Sequence, residues 1–329
     1  MPDRLWSWAA LAALSLAGAA SAQTPPIRLQ LPIDCRLGQT CFVQQYPDHD
    51  PGPGAKDYRC GPLTYDGHDG TDIRLPTIAA QKAGVNVLAA AAGTVRGARD
   101  GMEDISVDLA GRASVAGREC GNGVVISHPD GWETQYCHMA KGSLRVRPGQ
   151  AVITGQSLGQ VGESGDAAFP HVHFSVRRGT EKIDPFAFGA APGACDAGSS
   201  LWSPDAARAL AYRSPELINW GFVDGPVTMD EIESGRALAR PPSTGSSAMV
   251  VYVRAIGLHK DDVLALELSG PGAAAATQPL VLDHDKAQYM LFTGARRKSP
   301  VWGPGVYRAR FTARRAGVAV LERSFELRF

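Results

Sequence analysis

The sequence predicts an all-β protein with two β domains in series. Short runs of β-branched and aromatic residues alternate with turn residues along most of the chain. Glycine and proline are above average usage, at 37 and 23 of 329 residues, which favours strands and turns over long helices. One turn has a clear mechanism: Pro129-Asp130-Gly131 separates two strand-like runs, and Asp and Gly tolerate the positive φ that tight hairpins demand. The composition also excludes function classes. With 33 basic against 33 acidic residues and no basic stripe, nucleic-acid binding is a poor reading. A 44% hydrophobic content rules out wholesale disorder, and the length allows one large or two average domains.

Residues 1–22 read as a secretory signal peptide. Arg4 precedes an apolar run from Leu5 to Ala20, and Ala20-Ser21-Ala22 fits the small-x-small cleavage pattern, with Gln23 as the mature start. The run is short for a bilayer span and ends in small residues. The expected product is periplasmic or secreted, with no stable membrane insertion after cleavage. Export makes the six cysteines legible as disulfides. Of fifteen pairings, the favoured one closes Cys35 with Cys41 as a small loop and Cys120 with Cys137 across a predicted hairpin, leaving Cys60 with Cys195. No Cys-x-x-Cys pair supports a sulfur-bound metal instead.

Residues 23–60 are rich in Pro, Asp and Gly and read as an irregular arm stapled by disulfide. Residues 61–190 carry strand-like runs at Val85 to Ala90, Gly93 to Gly97, Gly123 to Ser127, Trp132 to His138, Val152 to Thr154, Ser157 to Gly162 and Val172 to Arg177. Residues 191–213 read as a linker with a short Ala-rich helical turn near Asp205 to Ala211. Residues 214–329 hold about seven short strands separated by turns, the pattern of an immunoglobulin-like β-sandwich. Its aromatics, from Trp220 to Phe311, have the spacing of core residues, and no patterned cluster of ionisable side chains marks it as catalytic.

The chemistry concentrates in three patterns: Gly67-His68-Asp69-Gly70-Thr71-Asp72, Gln135-Tyr136-Cys137-His138-Met139 and Pro170-His171-Val172-His173-Phe174-Ser175. In an extended chain, residues two apart share a face, so His171, His173 and Ser175 point one way while Val172, Phe174 and Val176 point the other. His68, Gly70 and Asp72 share parity in the same sense. Two imidazoles and one carboxylate have the composition of a catalytic zinc site that keeps a fourth position open for water. Such a metal acidifies water and polarises a carbonyl, so amide hydrolysis needs no protein nucleophile. Gly-x-Ser-x-Gly and phosphate-loop motifs are absent.

The set His68-x-Gly-x-Asp72, Tyr136-x-His138 and His171-x-His173-Phe174 resembles the lysostaphin-type (LytM-like) zinc metallopeptidases, which cut peptide cross-links in bacterial peptidoglycan. Further matches are Leu88-Ala89-Ala90-Ala91-Ala92-Gly93-Thr94-Val95, Gly121-Asn122-Gly123-Val124 and Arg147-Pro148-Gly149-Gln150. The resemblance runs from about Gly67 to Pro185 and implies a compact antiparallel β catalytic domain, the duplicated hybrid motif. It implies that His68, Asp72 and His173 bind one Zn2+ ion, and that His138 and His171 are the unligated catalytic pair. The implied substrate is peptidoglycan stem peptides or cross-bridges. The alternatives are a noncatalytic regulator of cell-wall amidases, which predicts lost ligands, and a secreted peptidase acting on proteins.

Two features depart from the resemblance: the loop Glu163 to Pro170, and an added segment from Asp100 to Glu119. The remaining histidines are expected to be ordinary. His128 flanks the hairpin turn, His259 and His284 sit on the surface, and His49 lies in an exposed loop in preference to reaching the site as an inhibitory ligand.

Overall fold

The computed structural model of the chain describes residues 26–329. The expected signal peptide lies outside the described residues. Among these, no helix is long and apolar enough to cross a membrane. In chain order the first ten strands are β1 (Phe42–Gln45), β2 (Thr71–Arg74), β3 (Asn86–Leu88), β4 (Gly93–Arg99), β5 (Asn122–Ser127), β6 (Trp132–Met139), β7 (Ala151–Val152), β8 (Ser157–Gln160), β9 (His171–Arg178) and β10 (Glu181–Ile183). Eight of them form one sheet in the order β1-β2-β9-β6-β5-β4-β7, with β10 against β9, while β3 and β8 pair separately. The pairs within these sheets are antiparallel.

Alternation in β9 decides what faces the core. Val172, Phe174 and Val176 are fully buried, and Tyr136 and Val124 from the neighbouring strands join them. Registry aligns these side chains, because Phe174 lies opposite both Tyr136 and Thr71. The β5–β6 hairpin turns through Pro129–Gly131, with Asp130 at φ 58° and Gly131 at φ 76°, as the turn chemistry requires. Strand β2 had no alternation to betray it, since all four of its residues are buried. Residues 23–60 supply Leu29, Ile33 and Tyr46 to this core, and residues 191–213 supply Leu201, Trp202, Ala206 and Leu210. Their irregular spacing hides that burial, which comes from single anchors and not from a repeating face. The disulfides close as Cys35–Cys41, Cys60–Cys195 and Cys120–Cys137.

The remaining strands are β11 (Glu216–Val223), β12 (Ala248–Leu258), β13 (Val263–Gly270), β14 (Ala273–Ala276), β15 (Leu280–Val281), β16 (Lys286–Arg296), β17 (Val306–Arg315) and β18 (Val318–Arg328). They make a three-stranded sheet, β11-β12-β16, and a five-stranded sheet, β14-β13-β17-β18 with β15 on β13. Val251 and Val253 of the first sheet pack with Leu266, Tyr307 and Phe311 of the second around a separate core. The protein is therefore all-β, with a second β domain after the first. The aromatics Tyr252, Trp302, Tyr307 and Phe311 are buried as expected, whereas Phe292 is half exposed.

The two cores meet along β1 and β2. Phe42 packs with Ile218 and Ile256. Arg74 and Arg254, both fully buried, converge on Glu233. Glu233 lies in a short helix, Met229–Ser234, started by a capping box between Thr228 and Glu231. Arg254 also donates to the Pro76 carbonyl at 2.6 Å, and Arg74 to the Gln44 side chain at 2.9 Å.

Two buried guanidiniums share the Glu233 carboxylate, so its loss leaves both charges without their ion-pair partner. Glu233→Ala is expected to lower unfolding free energy by about 3–5 kcal/mol. Glu322→Ala, which breaks the exposed, solvent-screened Arg310 pair, should leave the unfolding midpoint nearly unchanged. Denaturant titration of the two variants checks the contrast.

Candidate active site

Antiparallel registry brings the first and third sequence patterns together. Asp72 of β2 lies directly opposite His173 of β9, which in turn lies opposite Cys137 of β6. His68 precedes β2 and approaches the same point. His68 Nε2 lies 3.2 Å from Asp72 Oδ2 and 3.2 Å from His173 Nδ1, and His173 Nδ1 lies 2.9 Å from Asp72 Oδ1. Ligand atoms on a tetrahedral zinc, bonded at 2.0–2.1 Å, sit about 3.3 Å apart, so this trio fits the ion. It is the group of metal-binding character among the described residues.

Hydrogen bonds on the far side of each ring set which nitrogen faces inward. His68 Nδ1–H donates to the Tyr46 carbonyl at 2.7 Å, leaving the Nε2 lone pair for a metal. His138 Nδ1 is held by the Ser164 carbonyl at 2.8 Å, and His171 Nδ1 by the Phe169 carbonyl at 2.8 Å. The two rings lie against each other, centroids 4.5 Å apart and planes tilted by 45°, and His171 Nε2 is 3.6 Å from Asp72 Oδ1. All five residues read as site residues from sequence thus stand in one cluster.

His138 reaches it by an unusual route. It shares strand parity with Tyr136, whose side chain is in the core, so regular alternation would bury it away from the site. A backbone φ of 60° turns the chain there instead. The His138 N–H donates to the Cys120 carbonyl at 2.8 Å, and the Cys120–Cys137 disulfide fixes that neighbour. The loop before β9 completes the support, because Ser164 Oγ bridges Asn122 N–H and the Met139 carbonyl.

A cleft of 360 Å³ lined by His138, His173, Tyr65, Glu119 and Arg177 opens on one side of the cluster. A second, of 520 Å³, opens beside His68 and Asp69 toward Asp184 and Pro51. The added segment 100–119 walls the first: Arg112 pairs with Asp166, and Val107 N–H bonds the Ala167 carbonyl at 2.9 Å.

Burial, reinforced by His171 and His173 nearby, holds the His138 imidazole well below its ordinary range. Burial lowers His171 too, against the pull of Asp72. Both rings stay neutral under physiological conditions. His173 goes the other way: burial opposes its charge, but hydrogen bonds to Asp69 and Asp72 outweigh that and raise it to about 9. Burial resists ionisation of Asp72, yet the surrounding imidazoles hold its carboxyl well below the usual range.

Two other histidines differ from expectation. His49 is not in an exposed loop; its ring is nearly buried and bonds Asp184 at 2.6 Å, and it is not part of the His68, Asp72 and His173 group. His259 is half-buried where the two domains join, 3.1 Å from Ser214 Oγ. In both cases a distant segment folds over a residue whose local sequence is polar. His128, beside its turn, is buried between the Ala92 carbonyl and Thr134 Oγ1, and His284 is exposed. The residue missed at the site is Asp69, whose carboxylate faces His173 Nε2 at 3.3 Å. Parity placed it on the opposite face, but the backbone before Thr71 is not yet a strand.

Comparison with known proteins bears on the segment that holds this cluster. Residues 66–185 match the family described as Peptidase family M23. The matched segment contains all five clustered residues. A 57-residue stretch, 17% of the chain, is 40% identical to the cell division protein DipM of Caulobacter vibrioides. A 56-residue stretch, 17% of the chain, is 39% identical to the peptidoglycan DD-endopeptidase ShyA of Vibrio cholerae. These matches cover only 9% and 13% of the two relatives. The catalytic domain of a prophage-encoded M23 protein, EnpA from Enterococcus faecalis, aligns with a TM-score of 0.30 at 25% identity, over 44% of this chain and 88% of that one. The family match falls within the first β domain, and the second lies outside it.

The raised His173 value sets a pH dependence. Between the ordinary value of about 6.5 and the folded value of about 9 the metal-free ring is protonated, so a metal must displace that proton. Zinc affinity is expected to rise with pH until about 9, with proton release on binding at pH 7.5. By the same linkage, this ring's contribution to metal-free stability is complete below about 6.5 and is lost as pH rises through about 9. Calorimetric titration in buffers of different ionisation enthalpy counts the protons.

Proposed function

We propose that the protein is a zinc metalloendopeptidase that hydrolyses peptide cross-links of bacterial peptidoglycan outside the cytoplasm. The observation that carries this reading is the convergence of His68, Asp72 and His173 donor atoms within 3.2 Å of one another, beneath two buried histidines whose Nδ1 atoms are already engaged. Bound there, zinc would supply Lewis-acid chemistry, polarising the scissile carbonyl and acidifying the attacking water.

The two unligated histidines would move the protons. A neutral ring whose Nδ1–H is bonded to a carbonyl presents a lone pair at Nε2, so His138 or His171 accepts a proton from the water. As an imidazolium, that ring keeps its carbonyl partner and donates from Nε2, to the departing amine or to the oxygen that gains charge. Burial keeps both rings neutral beforehand, which is the state a base needs.

Clefts on both sides of the cluster suit an extended peptide with residues either side of the scissile bond. The identity to ShyA, whose name gives its substrate as peptidoglycan, supports that substrate class. Three disulfides and the expected signal peptide support a periplasmic or secreted location. A full donor set speaks against a noncatalytic regulator.

Mass spectrometry of muropeptides after incubation of zinc-loaded protein with cross-linked peptidoglycan tests the reading. Loss of cross-linked species is expected. His138→Ala should keep zinc and lose about 10²–10⁴-fold in rate, and His173→Ala should lose both. Cleavage of a protein substrate but not of peptidoglycan would move the assignment to a secreted protease, and cleavage of neither would move it to a regulator.

A further inference from the structure

We propose that Asp69 is a positioning residue for the metal ligand His173, fixing its tautomer and ring angle through the nitrogen that faces away from the metal. The proposal rests on the reading of His68, Asp72 and His173 as ligands. His173 has a carboxylate at each nitrogen: Asp72 Oδ1 at 2.9 Å from Nδ1, and Asp69 Oδ1 at 3.3 Å from Nε2. If Nδ1 gives its lone pair to a metal, the neutral ring carries its proton on Nε2, and Asp69 accepts it. A carboxylate behind an imidazole also makes the coordinating nitrogen more basic.

The other three site histidines use backbone carbonyls for this task, from Tyr46, Ser164 and Phe169. His173 alone among them has a charged acceptor. Two features hold that acceptor in place. Lys182 Nζ lies 3.2 Å from Asp69 Oδ2, so the second oxygen is tied to β10 while the first faces the ring. Gly70 clears the path between them: a Cβ there would lie 2.5 Å from both Cε1 and Nε2 of His173, so the ring occupies the space a side chain would take. The glycine, the aspartate before it and the lysine across the cleft form one cradle for a single imidazole.

Zinc affinity measured by competition with a chromophoric chelator tests this on the full chain. The comparison set is wild type, Asp69→Asn, Asp69→Ala and His173→Ala, each checked for native circular dichroism. Asp69→Asn keeps the shape and a neutral acceptor oxygen, so a loss there reports the carboxylate charge and not packing, while Asp69→Ala removes the acceptor itself. The expected result is about 10- to 100-fold weaker zinc binding in both Asp69 variants, with near-complete loss in His173→Ala. Wild-type affinity in folded Asp69→Ala, alongside loss in His173→Ala, overturns the role of Asp69 and leaves the metal site standing. Wild-type affinity in His173→Ala overturns the ligand assignment and the proposal with it.

Discussion

The register of β2 against β9 against β6 is the constraint on which the site depends. It sets Asp72, His173 and Cys137 in one row across three strands, and Thr71, Phe174 and Tyr136 in the next. A one-residue slip in any of these pairings would exchange the core face for the site face along that strand. Burial of Phe174 and Tyr136 therefore does more than stabilise the sheet: it forbids the slip, and so keeps Asp72 and His173 side by side.

Where strand alternation alone would fail, local exceptions complete the cluster. His138 is on the wrong parity and reaches the site through a left-handed backbone, stabilised by a hydrogen bond to a disulfide-fixed carbonyl. His68 and Asp69 lie in irregular chain before β2, where Gly70 admits the His173 ring. These positions store strain or sacrifice side-chain volume, and the cost is borne by the surrounding core.

The second domain is joined to this arrangement more closely than a linker would require. Arg74 lies two residues beyond Asp72, opposite His171 in register, and its guanidinium packs over Phe169 at 4.3 Å. Phe169 gives its carbonyl to His171 Nδ1. The Glu233 carboxylate that neutralises Arg74 comes from the second domain. A chain of contacts thus runs from the second core to His171.

The sequence by itself determined the strands whose one face is apolar, the hairpin at Pro129–Gly131, the favoured disulfides and the five residues that cluster, because each leaves a local signature in parity, turn chemistry or motif spacing. It left hidden β2, buried on both faces and so without alternation, and the contributions of Leu29 and Trp202, which are solitary anchors. Tertiary structure alone decided that His138 turns toward the site, that His49 bonds Asp184 and that Asp69 backs His173. The physical reason is common to all three. Each depends on a partner brought from a distant part of the chain or on a single backbone angle, and neither is encoded in the period of the neighbouring residues.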